Sequence, residues 1–334
     1  MLCNKFDAIL FGNGMTINLI QQIKPYVKKE KLYLFDIDEF LKRFMSNNIS
    51  PREEKRIFKI FYGKKSLDNL NNFEKLKYKL SRFYSNNNSN IEKILGRDIF
   101  AGADYNIGLI KSLFPALYNI WFDELYNYIT YSGLDEHIEF FYNSVSSILL
   151  NNDNIYTTNF DYLADSYINI KHIHGKFIKN LSKYADIYLC PKNEHEFYFK
   201  CVWGWNGIGK LSTIDELRKF NNINKYFDFS FFYENVKIDN LLLYGLGFQR
   251  SGYMTEEFLR KYPKRRKEQL EGTIVDEHVI IRIKGLQNLK QLKNVFISYY
   301  SEEEKEYFQL LGEYYGIKNF QLIHANEFNF SIEG

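Results

Sequence analysis

Cysteine, proline and long apolar runs are all scarce in this chain of 334 residues, and each scarcity excludes something. The three cysteines, Cys3, Cys190 and Cys201, are odd in number and scattered. They form no C-x-x-C pair, so neither a disulfide framework nor a structural zinc site is expected. Five prolines and 19 glycines exclude a Pro/Gly-rich linker protein or a collagen. The longest apolar stretches, such as Leu241–Gly247, fall far short of the roughly 18 residues that mark a membrane span. Near the N-terminus, Asp7 and Asn13 bracket only the short apolar run Ala8–Gly12, which does not fit a signal peptide. The expectation is a cytosolic protein without a membrane role. No charge of one sign dominates either. The 44 basic and 41 acidic residues leave a net +3, which gives no reason to expect a nucleic-acid partner.

What is present is globular composition: 45% hydrophobic and 25% charged residues. The 30 Phe and 27 Tyr predict a core filled with rings rather than an aromatic ligand cage. At roughly 100–200 residues per domain, the length allows one large domain or two ordinary ones.

Along the chain, Ala8-Ile9-Leu10-Phe11 reads as a buried parallel strand, because its apolar run is short and is closed by Gly12 and Gly14. Met15, Leu19, Ile20 and Ile23 recur at helical spacing up to Pro25. Leu32–Phe35 reads as a second strand ending at Asp36. Residues 37–150 then carry helical stripes: Ile37, Phe40, Leu41, Phe44 and Met45; Leu70, Phe73, Leu76, Leu80 and Phe83; and Leu134, Ile138, Phe141, Val145, Ile148 and Leu149. An Asn-rich loop, Asn86–Asn90, interrupts them. Strands return at Ile155–Thr157, Ile170–Ile173, Asn240–Gly245, His278–Ile283, Val295–Tyr299 and Phe320–Ile323. Glu302–Tyr315 reads as a helix with Tyr307, Leu310, Leu311 and Tyr314 on its apolar side. Strands alternating with helices imply an α/β fold with a parallel sheet covered on both faces.

Four motifs fall at strand ends, where open parallel sheets bind ligands. The first is Gly12-Asn13-Gly14-Met15-Thr16, between a strand and a helix. Glycines there let backbone approach a pyrophosphate at a helix N-terminus. The third glycine of a dinucleotide fingerprint is replaced by Ile17, and Asp36 lies near the spacing of a ribose contact. The second is Tyr156-Thr157-Thr158-Asn159-Phe160-Asp161, whose amide and carboxylate either face a ligand or cap a helix. The third is Lys171-His172-Ile173-His174-Gly175-Lys176. Strand alternation puts both histidines on one face, and His174, at the strand end before a glycine, is the better general base. The fourth is Tyr244-Gly245-Leu246-Gly247-Phe248. A basic run, Lys261–Lys267, reads as a solvated loop.

In this order, the Gly-x-Gly turn, T-T-N-F-D, H-x-H-G and the glycine-rich strand end resemble the sirtuin-like NAD-binding fold, most closely its divergent bacterial branch in antiphage defence. The resemblance covers about residues 7–25, 154–178 and 240–325. It implies a Rossmann-like parallel sheet of the sirtuin type, formed by residues 1–36 with 151–334, carrying a large α-helical insertion or lid at 37–150. It also implies that NAD+ is the substrate, cleaved at the nicotinamide–ribose bond. Asn159 contacts the nicotinamide ribose or positions water, and His174 is the base. Gly12, Gly14 and Thr16 line the pyrophosphate and adenosine side, Asp161 supports the loop or the ribose, and Gly245 and Gly247 lie near the adenosine ribose. Deacetylase sirtuins carry a four-cysteine zinc module that three isolated cysteines cannot build. That departure turns the expectation from protein deacetylation towards hydrolysis of NAD+ itself, with no metal. Control by a separate sensor or regulatory subunit, and a homo-oligomer, are expected with it. Two other readings stay open: a sensor that binds NAD or an ADP-ribose-like nucleotide without turnover, and a Rossmann oxidoreductase using Gly12–Thr16 and Asp36.

Overall fold

The computed structural model describes residues 5–46, 51, 54–55, 58, 74, 120–159, 161–173, 237–248 and 276–333. The stripe Leu70–Phe83, Asn86–Asn90, His174, the three cysteines and the basic run Lys261–Lys267 lie outside them, apart from Glu74. By chain contacts the protein divides into two compact units. The first comprises Met1–Pro25, Leu134–Lys176 and Phe197–Gly334; the second comprises Tyr26–Gly133 and Phe177–Glu196.

The first unit is built on six strands: β1 (Ala8–Phe11), β2 (Ile155–Thr157), β3 (Ile170–His172), β4 (Ile238–Tyr244), β5 (Leu292–Tyr299) and β6 (Phe320–His324). They form one sheet in the order β3-β2-β1-β4-β5-β6, and every neighbouring pair is parallel. This is the strand order of a doubly wound, Rossmann-like α/β fold. Parallel strands need crossovers, and helices α1 (Asn13–Ile23), α3 (Asp135–Ser147), α4 (Glu277–Asn288) and α5 (Glu302–Tyr315) lie in those connections.

A central strand buried on both faces must be apolar throughout, which is why β1 reads Ala-Ile-Leu-Phe without alternation. Ala8 and Leu10 join a core with Leu241, Leu243, Val295 and Ile297 of the neighbouring strands. Val279, Ile283 and Leu286 of α4 and Phe308 and Leu311 of α5 complete it. Fully burying one such aliphatic side chain contributes about 1.5–3 kcal/mol. Ile9 and Phe11 point to the opposite face by strand alternation. Aromatic packing covers that face. Phe6 meets Phe296 edge-on at 5.2 Å, Tyr244 meets Phe330 at 5.0 Å, and Phe141 of α3 meets Phe330 at 5.9 Å. α1 buries Met15, Leu19 and Ile23, four residues apart.

Three local expectations are corrected. Leu32–Phe35 is not a strand but part of a 3-10 turn, Lys29–Phe35, in the second unit. The Trp121 indole donates to the Leu34 carbonyl at 2.9 Å, where a strand would have used a ladder partner. Asp36 therefore ends no strand. It caps α2 (Ile37–Met45), accepting from the Asp38 and Glu39 amides at 2.9 and 3.1 Å. His278–Ile283 is likewise no strand; it lies inside α4. Its Val-Ile-Ile run has strand composition, yet Val279, Ile280, Ile283 and Leu286 are buried at helical spacing. On α5 the buried residues are Phe308, Leu311 and Gly312, and Leu310 is exposed.

α3, grouped by its stripe with 37–150, belongs to the first unit. The reason is packing: Phe6 bridges Leu149 in parallel, and the Ser331 amide donates to the Ser144 hydroxyl. In the second unit, α2 buries Phe40, Leu41 and Phe44, with Tyr33 stacked on Phe40 at 6.5 Å. A helical stretch over 120–132 contributes Tyr128, which meets Phe35 edge-on. Among the described residues, no helix is long and apolar enough to cross a membrane.

Candidate functional site

The registers bring the motifs to one edge of the sheet. Phe11 pairs with Thr157 on one side and Tyr244 on the other, and Thr157 pairs with His172. The residues just past these four strand ends therefore emerge side by side. Crevices outside the carboxyl ends, where strand order reverses, are where such sheets take ligands. Here the reversal falls between β1 and β4.

Glycine is demanded at that reversal by the chain itself. A Cβ on Gly14 would lie 2.5 Å from the Gly245 Cα, and a Cβ on Gly245 would lie 2.6 Å from the Gly14 Cα. A Cβ on Gly12 would meet the Gly245 carbonyl and Leu246 at 2.8 Å. The Gly14 amide donates to the Gly245 carbonyl at 3.0 Å, and the Gly245 amide donates to the Ser298 hydroxyl at 2.9 Å. Gly245 also sits at φ +63. The glycines thus let two strand-end turns touch, a role the pyrophosphate pattern does not reveal.

Beside this contact lies a buried polar network. Asn159 is 3% exposed and Thr16 is 9% exposed. The Asn159 Nδ2 donates to the Gly12 carbonyl at 3.2 Å and to the Thr16 Oγ1 at 2.9 Å. The Thr16 hydroxyl donates to the Asp161 Oδ2 at 2.9 Å. This chain of donors fixes the amide's orientation. Thr16 gives its one proton to Asp161, so its oxygen must accept from Asn159. Both amide hydrogens of Asn159 are then used within the protein, and its Oδ1 is what it can offer a ligand. Thr157 steadies the loop, donating to the Phe11 carbonyl and accepting from the Asn159 amide.

Asp161 is half-buried, and burial pushes its carboxyl above the usual carboxylate range. The Thr16 hydroxyl, His172 and the Leu163 amide act against that push, while Asp165 adds to it. The Tyr142 hydroxyl of α3 is fully buried and, among the described residues, has no hydrogen-bond partner. Burial raises its pKa well above the ordinary value, and the charges of Asp161 and Asp165 raise it further.

Gly12, Gly14, Thr16, Asn159, Asp161 and Gly245 are thus brought together. Gly247 is exposed and, among the described residues, takes no part in these hydrogen bonds. β3 ends at His172, with Ile173 still donating to the Thr157 carbonyl, and His174 follows outside the described residues. His172 is engaged through both ring nitrogens, with the Asn159 carbonyl and Asp165. Asp165, Tyr142 and Ser298 were not singled out from the sequence. None lies in a local pattern, since each acts on a residue of another strand end or loop.

Comparison with protein-family models, curated proteins and solved structures gives no match.

Proposed function

We propose that this chain is a sirtuin-like NAD+ glycohydrolase that cleaves the nicotinamide–ribose bond and depletes NAD+ in bacterial antiphage defence. The observation that carries the reading is the Asn159–Thr16–Asp161 network. It joins the Gly-x-Gly turn to the T-T-N-F-D loop, two sequence motifs about 145 positions apart, at the carboxyl edge of a Rossmann-like sheet. The order of motifs, continued by His174-Gly175, supports it further.

In this reading a water attacks the anomeric carbon of the nicotinamide ribose. The new C–O bond forms as the C–N bond breaks, and its electron pair neutralises the positively charged nicotinamide ring. The leaving group needs no acid. Asn159 offers Oδ1 to a proton of that water or of a ribose hydroxyl. His174 takes the water's other proton, a step worth about 10²–10⁴ in rate. Asp161 accepts from a ribose hydroxyl. Gly12, Gly14 and Thr16 lie towards the pyrophosphate and adenosine side, with Gly245 and Gly247 near the adenosine ribose. No metal takes part.

The rest of the proposal is organisational. In this reading the second unit is the insertion carried by a sirtuin-type domain, and α3 belongs to the domain itself. The chain assembles as a homo-oligomer, and a separate sensor subunit releases its activity in the cytoplasm during infection.

Incubating purified chain with NAD+, alone and with the products of neighbouring genes, tests the reading by chromatography of free nicotinamide. Nicotinamide and ADP-ribose in equal amounts support it. NADH formed with an added substrate, or binding without turnover, replaces it with a dehydrogenase or a sensor.

A further inference from the structure

The Asn159 loop is also held from behind, by a residue with no part in the chemistry above. His172 closes β3, is 4% exposed, and has both ring nitrogens engaged. Nδ1 lies 2.9 Å from the Asn159 backbone oxygen, and Nε2 lies 2.8 Å from the Asp165 Oδ2. A carbonyl and a carboxylate can only accept, so each nitrogen is assigned a proton from its partner. Both ring nitrogens are thus committed to these two partners, one on the Asn159 loop and one on the following turn.

We propose that His172 is the positioning residue of this site: it clamps the Asn159 backbone, which aims the Asn159 side chain, and it ties that loop to Asp165 of the following turn. What the site holds rests on the nucleotide reading, but the clamp can be read without any ligand. Among the described residues, the groups facing Asp161 are the Thr16 hydroxyl of α1, the Tyr142 hydroxyl of α3, the Leu163 amide and Asp165 of the following turn, and His172 of β3.

Two substitutions split the clamp. His172→Asn keeps a donor where Nδ1 stood and loses the Asp165 contact. His172→Gln keeps a donor towards Asp165 and loses the one towards Asn159. Carbon-13 carboxyl titration of Asp161 reads the loss of the imidazole, which acts to lower that carboxyl, so its midpoint is expected to rise in both variants. Nicotinamide release reads the aim. kcat is expected to fall about 10²-fold in His172→Gln and clearly less in His172→Asn, with KM moving less than kcat. In the wild-type chain, nitrogen-15 spectra of the imidazole are expected to show both nitrogens hydrogen-bonded, which needs no variant to fold. A ring nitrogen without a hydrogen bond, an unmoved Asp161 midpoint, or equal kcat losses in the two variants overturns the proposal. A wild-type chain that releases no nicotinamide overturns the nucleotide reading instead, and the Asp161 titration still decides the clamp.

Discussion

The two sides of the sheet finish their strands differently. Past β5 and β6, the helix caps close on their own backbone, while the Tyr300 hydroxyl crosses to the Gly14 carbonyl at 3.2 Å. Ser301 caps α5 by accepting from the Glu304 amide, and His324 pairs with Glu327 in a capping box around the following 3-10 turn. Past β1, β2 and β3, polar side chains reach across elements. Asn159 bonds the Gly12 carbonyl, Thr16 bonds Asp161, and His172 bonds Asp165 and the Asn159 carbonyl. Caps satisfy a helix end, which every helix needs. Buried groups that satisfy one another across separate strands serve no single element, and half-satisfied ones are costly. That contrast, more than any one motif, separates a candidate site from ordinary strand ends.

The comparison breaks most sharply on the chemistry. His174→Ala and Asn159→Ala are each expected to lower nicotinamide release about 10²–10⁴-fold while the far-ultraviolet dichroism stays native. Full activity in either variant would return the polar network to a structural role.

Next in size is the glycine contact. Gly245→Ala puts a methyl into the Gly14 backbone at φ +63. Overpacking costs about 1–3 kcal/mol, and a left-handed non-glycine residue adds about 1–2 kcal/mol. Denaturant unfolding should show a loss of a few kcal/mol. A variant as stable as wild type would mean that the two turns do not touch.

Asp161→Asn sharpens the comparison through pH. Because the native carboxyl titrates above its unfolded value, the native state holds the extra proton between the two values. Stability is therefore lost as pH rises through that window, and the full penalty is present above it. The amide carries no such penalty. The melting temperature of Asp161→Asn should match wild type near pH 4 and exceed it at pH 7, while NAD+ affinity falls. A difference that is independent of pH would show that the carboxyl is not strained by burial.

The smallest effect belongs to the other side of the sheet. Gly285 lies inside α4, where an added Cβ meets nothing within 4 Å. Gly285→Ala should therefore stabilise by about 0.5–1 kcal/mol and leave turnover unchanged. Thermal melts of this variant beside Gly245→Ala contrast a glycine without a contact role with one that two strand ends require.

Much of the scaffold was legible because burial leaves a local trace. β1 and β2 match their apolar runs residue for residue, and α5 matches its expected span, since a strand buried on both faces and a one-sided helix have distinct periods. Where the trace was ambiguous, packing decided. Leu32–Phe35 and His278–Ile283 have strand composition, yet one is wound in a 3-10 turn beneath Trp121 and the other packs as a helix on β5. At the site, Asn159, Asp161 and Thr16 stood out as polar residues beside strand ends. The partnership of His172 with Asp165 did not, because the two lie on different elements and only the turn between them brings them together.

By itself, then, the sequence determined the α/β class, the parallel sheet and the residues that collect at its carboxyl edge. Each follows from local period and from the polarity of a few positions. Tertiary structure alone decided the strand order, the backbone contact that makes Gly14 and Gly245 necessary, and the orientation of the Asn159 amide. These depend on which distant segments pack together, and close packing sets distances between residues hundreds of positions apart that no local pattern records.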